Sequence, residues 1–408
     1  MFSQIDNSKP LPISLYKDKV LWLQITYSAI FFTASGIWIT AIPRHIKLNL
    51  GFDEFVVGLA ALVFSLAAVS SRPFVNYLGA RRNRHELMFV ALLLMLGGST
   101  VAIISNNIYG VLISRAFVGV ADGLFYVAIS TLVVANAGEK FRGRALNLYS
   151  VSLYLGITIG PIIGEQLYQL NKNWSYTLSG MACVTIALFQ LGILKFIPSR
   201  YKEHIESSKK HSAFCPPVMF PGIIFILGVV AWVGFEQFAP LYGKSLGVDN
   251  VSSIFALIGV SVIITRILGS TIIDSMNNKM IIMIALASSL VASICFSQLN
   301  GEVAIYLGAF FIAISLGFYY PGFILAAMRR GEKYNSGSVL GTMGMFFDLS
   351  FGILPPILGL VAANRSYSSM FAISSILIIA AMVLTFFLKI PNGKFKIDQG
   401  QAHSDVVI

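Results

Sequence analysis

Twelve stretches of roughly 20 mostly apolar residues, the length that crosses a bilayer's hydrocarbon core as a helix, succeed one another along this chain. They fall at 22–42, 55–78, 87–105, 108–135, 144–167, 174–194, 218–242, 251–272, 280–298, 303–327, 336–361 and 368–388. One such run is compatible with a buried core helix; twelve in succession are not. Of the 408 residues 56% are hydrophobic and only 12% charged, which excludes both an ordinary soluble domain and a disordered chain. The chain reads as an all-α membrane protein with twelve transmembrane helices. Its 35 glycines suit helices that pack closely in lipid.

The net charge of +11 would suggest a nucleic-acid partner in a soluble chain. Here the basic residues alternate between connections. With the N-terminus inside, inner segments hold 21 of the 29 Lys and Arg, including Arg81, Arg82, Arg84, Arg142, Arg144, Arg329 and Arg330. Outer connections hold five: Arg44, Lys47, Lys172, Lys244 and Arg365. Arg72, Arg115 and Arg266 fall within or at the ends of spans. This asymmetry predicts that both termini lie in the cytoplasm. The first apolar run lacks a small-residue cleavage site, so it reads as a retained helix.

The longest polar break, 195–217, divides the chain into two six-helix halves, 1–194 and 218–408. Halves of equal span number suggest an internal repeat, a common plan among secondary transporters. Arg72 and Arg266 each sit at the tail of a corresponding apolar run and lead into a short basic turn. Cys183, Cys215 and Cys295 are scattered and form no CxxC pair, and the five histidines fall in or beside polar segments, so neither a disulfide framework nor a metal site is expected.

With these features the sequence resembles the major facilitator superfamily, over nearly its whole length. The turn after the second span is similar to that family's Gly-x-x-x-Asp-Arg-x-Gly-Arg-Arg loop, with Asn76, Ala80, Asn83 and Arg84 at four of its positions. In the second half Asp274 keeps the acidic position. The resemblance implies that this acid helps hold one gating state; with Ala80 in the first half, Asp274 is the remaining candidate. Arg115, Gly119 and Gly123 resemble the family's Arg-x-x-x-Gly-x-x-x-Gly helix, and Gly156, Gly160, Pro161 and Gly164 its Gly-x-x-x-Gly-Pro-x-x-Gly motif. The latter accompanies members that export substrate in exchange for protons. The implied fold is two pseudo-symmetric six-helix bundles. The implied activity is proton-driven efflux by a drug- or sugar-efflux-like permease of a bacterial inner membrane. Gating positions by resemblance are Arg72, Arg84, Arg266, Asp274, Gly156, Gly160, Pro161 and Gly164.

Charges inside spans carry the functional argument, because Asp or Arg at a helix centre costs about +2.5 to +3.5 kcal/mol on insertion scales. Arg115 and Asp122 share the fourth span, two turns apart and roughly 10 Å along the axis. Glu165 ends the fifth span, Glu236 lies in the seventh and Asp348 in the eleventh. These four acids are the candidate proton carriers, Asp122 first. Low dielectric disfavours a charged carboxylate and a nearby cation favours it, so proton and substrate can compete for one group. A gradient of one pH unit is worth about 1.4 kcal/mol, and 100 mV adds about 2.3 kcal/mol per charge. Arg115, Trp38, Phe125, Tyr126, Trp232 and Tyr319 are candidate cavity residues, since aromatic faces beside carboxylates suit an amphiphilic cationic or zwitterionic substrate.

No P-loop or dinucleotide fingerprint occurs. The chain is therefore expected to be no enzyme, to need no cofactor, and to act as a monomer on a small molecule and protons within the lipid bilayer. An importer would use the same architecture, and a non-transporting membrane sensor would share its hydropathy.

Overall fold

A computed structural model describes residues 18–79, 84–105, 107–137, 142–198, 214–275, 277–334 and 336–390. Among these residues the fold is all-α. Asp18 caps the first helix, α1 (Lys19–Arg44), by accepting from the Val20 amide. A π-helical turn, His45–Asn49, continues it. Then follow α2 (Glu54–Gly79), α3 (Arg84–Ile104), α4 (Ile108–Ala137), α5 (Arg142–Leu170) and α6 (Ser175–Ile193). After the polar break come α7 (Met219–Gly228), α8 (Val230–Ser245), α9 (Ser252–Ser275), α10 (Asn278–Gln298), α11 (Gly301–Arg330), α12 (Ser336–Asn364) and α13 (Tyr367–Phe387). Each of the twelve apolar stretches coincides with a helix, except that the seventh holds two.

Nine of the described helices are long and apolar enough to cross a membrane, and α7 with α8 supplies a tenth when counted as one bent span. The two meet at 41° across Val229. No proline marks the break. Two hydroxyls from neighbouring helices sustain it: Tyr319 Oη donates to the Phe225 carbonyl at 2.8 Å, and Ser289 Oγ donates to the Gly228 carbonyl at 3.1 Å. Both acceptors lie at the end of α7, where the Phe225 carbonyl also accepts from the Val229 amide at 3.0 Å.

Connections between spans make successive spans run in opposite directions, with α7 and α8 counted as one bent span. One face of the protein, the near face, carries the start of α1; the far face carries its end and the start of α2. Helices α1, α4, α5 and α6 pack together, with α2 and α3 against α4; α9, α10, α11 and α13 pack likewise, with α7, α8 and α12 alongside. The two groups meet through α1 with α8, α2 with α12, and α5 with α9.

Glycine sets the tightest of these approaches. At the α1–α5 seam a Cβ on Gly160 would lie 2.5 Å from Gly36 Cα and 2.6 Å from the Thr33 carbonyl. The α2–α12 seam is as close, since a Cβ on Gly58 would lie 2.5 Å from Pro355 and Pro356 backbone atoms.

The sequence placed Arg44 in an outer loop, but it ends α1 and is only 4% exposed. Pro43 lies inside the helix without ending it, and the following π-turn carries the backbone bonding onward.

Candidate functional site

The sites form from pairs of helices that no local pattern links. At the far face α1, α5 and the α8–α9 turn converge on one buried ion pair. Arg44 Nη1 donates to Glu165 Oε2 at 2.6 Å, with both side chains almost wholly enclosed. The other oxygen, Glu165 Oε1, accepts from Gln169 Nε2 at 3.0 Å. The Arg44 guanidinium also stacks 3.9 Å from the Tyr168 ring centre. Burial makes such a pair consequential, because removing one partner strands an uncompensated charge.

This pair also reaches the second group. The Asp249 carbonyl accepts from Gln169 Nε2 at 3.0 Å and from Arg44 Nη2 at 3.5 Å. Gln166 Nε2 donates to Ser252 Oγ at 3.4 Å. A second far-face link joins α2 to α13. Glu54 Oε2 pairs with Lys47 Nζ at 2.9 Å while Glu54 Oε1 accepts from Tyr367 Oη at 2.8 Å. Below these bonds, Gly352 packs on Ser65 and Gly259 on Thr158, so the seam continues toward mid-membrane. Glu165, read from sequence as a proton carrier, therefore belongs to the far-face bond network.

Deeper in the first group, Asp122 is half-buried on α4 and accepts from Ser35 Oγ of α1 at 3.0 Å. Arg115, two turns away on α4, lies over the Phe64 ring of α2 at 4.1 Å and interacts electrostatically with Asp122 and Tyr176. In the second group Glu236 lies on α8, the helix that packs on both α1 and α12. Its Oε2 is buried with no hydrogen-bond partner among the described residues. Asp348 is buried on α12.

The aromatic candidates divide. Phe125 is fully buried and stacks face to face on Phe31 at 3.8 Å, so its ring is enclosed in this conformation. Tyr319 is likewise enclosed and props the α7–α8 break. Tyr126 is half-buried with its ring 5.9 Å from that of Tyr149. Trp38 packs on Tyr176 of α6, within the first group. Trp232 lies one turn before Glu236 on α8. The glycines of the fifth span, with Pro161 inside α5, form the seam with α1: Gly156 packs on Phe32, Gly160 on Gly36 and Gly164 on Thr40.

Arg84 opens α3 and is half-buried. The side chains of Arg72, Arg266 and Asp274 lie outside the described residues, as does most of the 195–217 connection. No group of three potential metal ligands occurs among the described residues. Sequence reasoning missed Arg44, Lys47, Glu54 and the Asp249 carbonyl. The available signal was charge at the very edge of an apolar run, which is also where solvated loops begin.

Packed apolar helices with internal charges and two helix groups meeting along tight seams define a multi-pass membrane protein. Residues 24–355 match the profile of the Major Facilitator Superfamily. The chain belongs to that superfamily, and as a member it is a secondary transporter of small molecules working by alternating access. Among curated relatives, the uncharacterized MFS-type transporter YhhS of Escherichia coli strain K12 is 20% identical over 366 residues, covering 87% of this chain and 88% of its own. The uncharacterized MFS-type transporter YfkF of Bacillus subtilis strain 168 is 24% identical over 338 residues, covering 76% and 83%. Among solved structures, the nucleoside transporter NupG superposes with a TM-score of 0.72 at 12% identity, covering 91% of this chain and 100% of its own. The peptide transporter POT gives 0.72 at 13%, covering 94% and 97%. At these identities the likeness is one of fold.

Proposed function

We propose that the protein is a proton-driven antiporter that exports a small amphiphilic or zwitterionic molecule. In this reading twelve spans form two six-helix halves, 1–194 and 218–408, joined by a cytoplasmic connection over 195–217. The near face is the cytoplasmic side of a bacterial inner membrane, as the basic residues favour.

The observation that carries the reading is the contrast among the buried acids. Glu165 is saturated by Arg44 and Gln169, whereas Glu236 has a buried carboxylate oxygen with no hydrogen-bond partner among the described residues. An isolated carboxylate anion is costly in an apolar setting, so a proton or a cationic substrate group gains most at Glu236. Asp122, held by Ser35 and within the field of Arg115, is the second exchange site. The bonds from Arg44, Gln169 and Tyr367 serve as the far-face closure that must part in each cycle.

The test is flux in proteoliposomes loaded with a pH-sensitive dye, using a lipophilic cation, a sugar, a nucleoside and a zwitterionic metal chelator as probes. Inward proton movement accompanying outward substrate movement is expected for one of these probe classes. Asp122→Asn is expected to abolish accumulation against a gradient, and Glu236→Gln to leave exchange of labelled for unlabelled probe while removing proton dependence. A double variant that accumulates the probe as well as the parent ends the proposal.

A further inference from the structure

A second polar cluster lies wholly inside the first helix group, away from the seams between groups. The His45 imidazole stacks on the Tyr176 ring at 3.7 Å and 4°, and Trp38 packs on the same ring at 5.4 Å. These side chains are 8%, 5% and 2% exposed. Yet Trp38 Nε1, both His45 ring nitrogens and Tyr176 Oη have no hydrogen-bond partner among the described residues. Ser179 Oγ, one turn along α6 from Tyr176, is in the same condition. Buried polar groups are ordinarily satisfied, and a local concentration of orphaned donors and acceptors is what internal water occupies.

The cluster has a direction. His45 lies at the far face, just beyond the buried Arg44. Trp38 lies about two turns deeper on α1, and Ser35, which donates to Asp122, one turn deeper again. Through Ser35 the helix that carries Trp38 and His45 therefore touches Asp122 directly. The charges around His45 are already paired. On its own segment Arg44 is held by Glu165 of α5 and Lys47 by Glu54 of α2, while Tyr176 faces it from α6. A histidine takes a proton on one ring nitrogen and releases one from the other.

We propose that the α1–α6 junction is a hydrated proton inlet, in which His45, Tyr176 and Trp38 hold water that relays protons from the far face to Asp122. It rests on the antiport reading and adds that the proton has its own route, separate from the seams that part for substrate. A proton entering on His45 leaves from its other nitrogen to bound water, passes by way of the Tyr176 hydroxyl, and ends on the Asp122 carboxylate with His45 neutral again. Protons then reach Asp122 while the bonds from Arg44 and Gln169 to the Asp249 carbonyl are intact, so charge crosses the far half without a leak of substrate.

Two measurements test this. The first is hydroxyl-radical footprinting by X-ray radiolysis of the full chain in lipid nanodiscs, which needs no substrate. Tyr242 is the dry comparator, buried to 1% exposure with its hydroxyl donating to the Phe296 carbonyl at 2.8 Å. Trp38 and Tyr176 are expected to oxidise roughly tenfold faster than Tyr242 because water is bound beside them; equal rates overturn the inlet. The second compares His45→Gln and Tyr176→Phe with the parent in proteoliposomes, using whichever probe the parent accumulates. Gradient-driven accumulation is expected to fall about tenfold while probe exchange without a gradient continues, the mark of a lost proton supply. Unchanged accumulation, or equal loss of accumulation and exchange, overturns the inlet. A parent that accumulates no probe under a proton gradient overturns the antiport reading, and the footprint tells that failure apart from a dry junction.

Discussion

Two glycine seams in this protein resemble each other in sequence and differ in what they join. The α1–α5 seam uses Gly156, Gly160, Pro161 and Gly164 and lies within the first helix group. The α2–α12 seam uses Gly58 against Pro355 and Pro356, Gly352 against Ser65 and Gly359 against Glu54, and lies between the groups. Both bring backbones to distances that no Cβ tolerates. In the proposed cycle the first stays closed, because both its helices belong to one group. The second must separate if the far face is ever to open. On that proposal, close glycine packing serves permanence in one place and reversibility in the other. The contacts between the groups are fastened at the far-face rim by Arg44 and Gln169, which donate to the Asp249 carbonyl, and by Tyr367, which donates to Glu54; these polar groups can be returned to water when the groups part.

The largest effect expected is from Glu165→Ala, which leaves Arg44 buried and unpaired at a cost of about 3–5 kcal/mol and releases the side chains of Arg44 and Gln169 that reach the Asp249 carbonyl. Spin labels on α5 and on the α8–α9 turn should then report a longer and broader distance distribution than in the parent. An unchanged distribution would mean that the ion pair does not support the contact between α5 and the α8–α9 turn.

Gly160→Val follows, with overpacking of about 1–3 kcal/mol. Because this seam lies within one group, the loss should appear as a lower unfolding midpoint in detergent, with no shift in the spin-label distances. Gly58→Val places comparable crowding between the groups. It should shift the distance distribution toward an open far face and lower the midpoint less than Gly160→Val does. If both variants behave alike, the distinction between permanent and reversible seams fails.

The smallest effect is expected from Tyr367→Phe, which removes one hydrogen bond to a charged carboxylate still held by Lys47. Hydrogen bonds to charged groups are worth about 1.5–3 kcal/mol when buried, and partial exposure at this rim places the loss at the low end. It should speed far-face opening by no more than roughly tenfold in stopped-flow fluorescence.

Much of the fold was readable from residue order. Each apolar stretch coincides with a helix, because a run long enough to cross lipid must satisfy its own backbone hydrogen bonds. The α7–α8 break was not readable, since Gly228-Val229-Val230 carries no proline or charge. Hydroxyls of Tyr319 and Ser289, distant in sequence, donate to the carbonyls there. Glu165 and Asp122 look equivalent as acids near glycines. One meets a guanidinium 121 positions earlier and the other a serine hydroxyl 87 positions earlier.

The sequence by itself determined that this chain crosses a membrane many times, which spans carry charge, and which superfamily it resembles. Hydropathy and local spacing act over a single helix, so they survive in one dimension. Only the tertiary structure decided which acid is paired, which glycine seam joins the groups, and which aromatic rings enclose orphaned polar atoms. Those outcomes depend on contacts between helices far apart in the chain, where an angstrom of approach determines whether a charge is compensated or exposed to exchange.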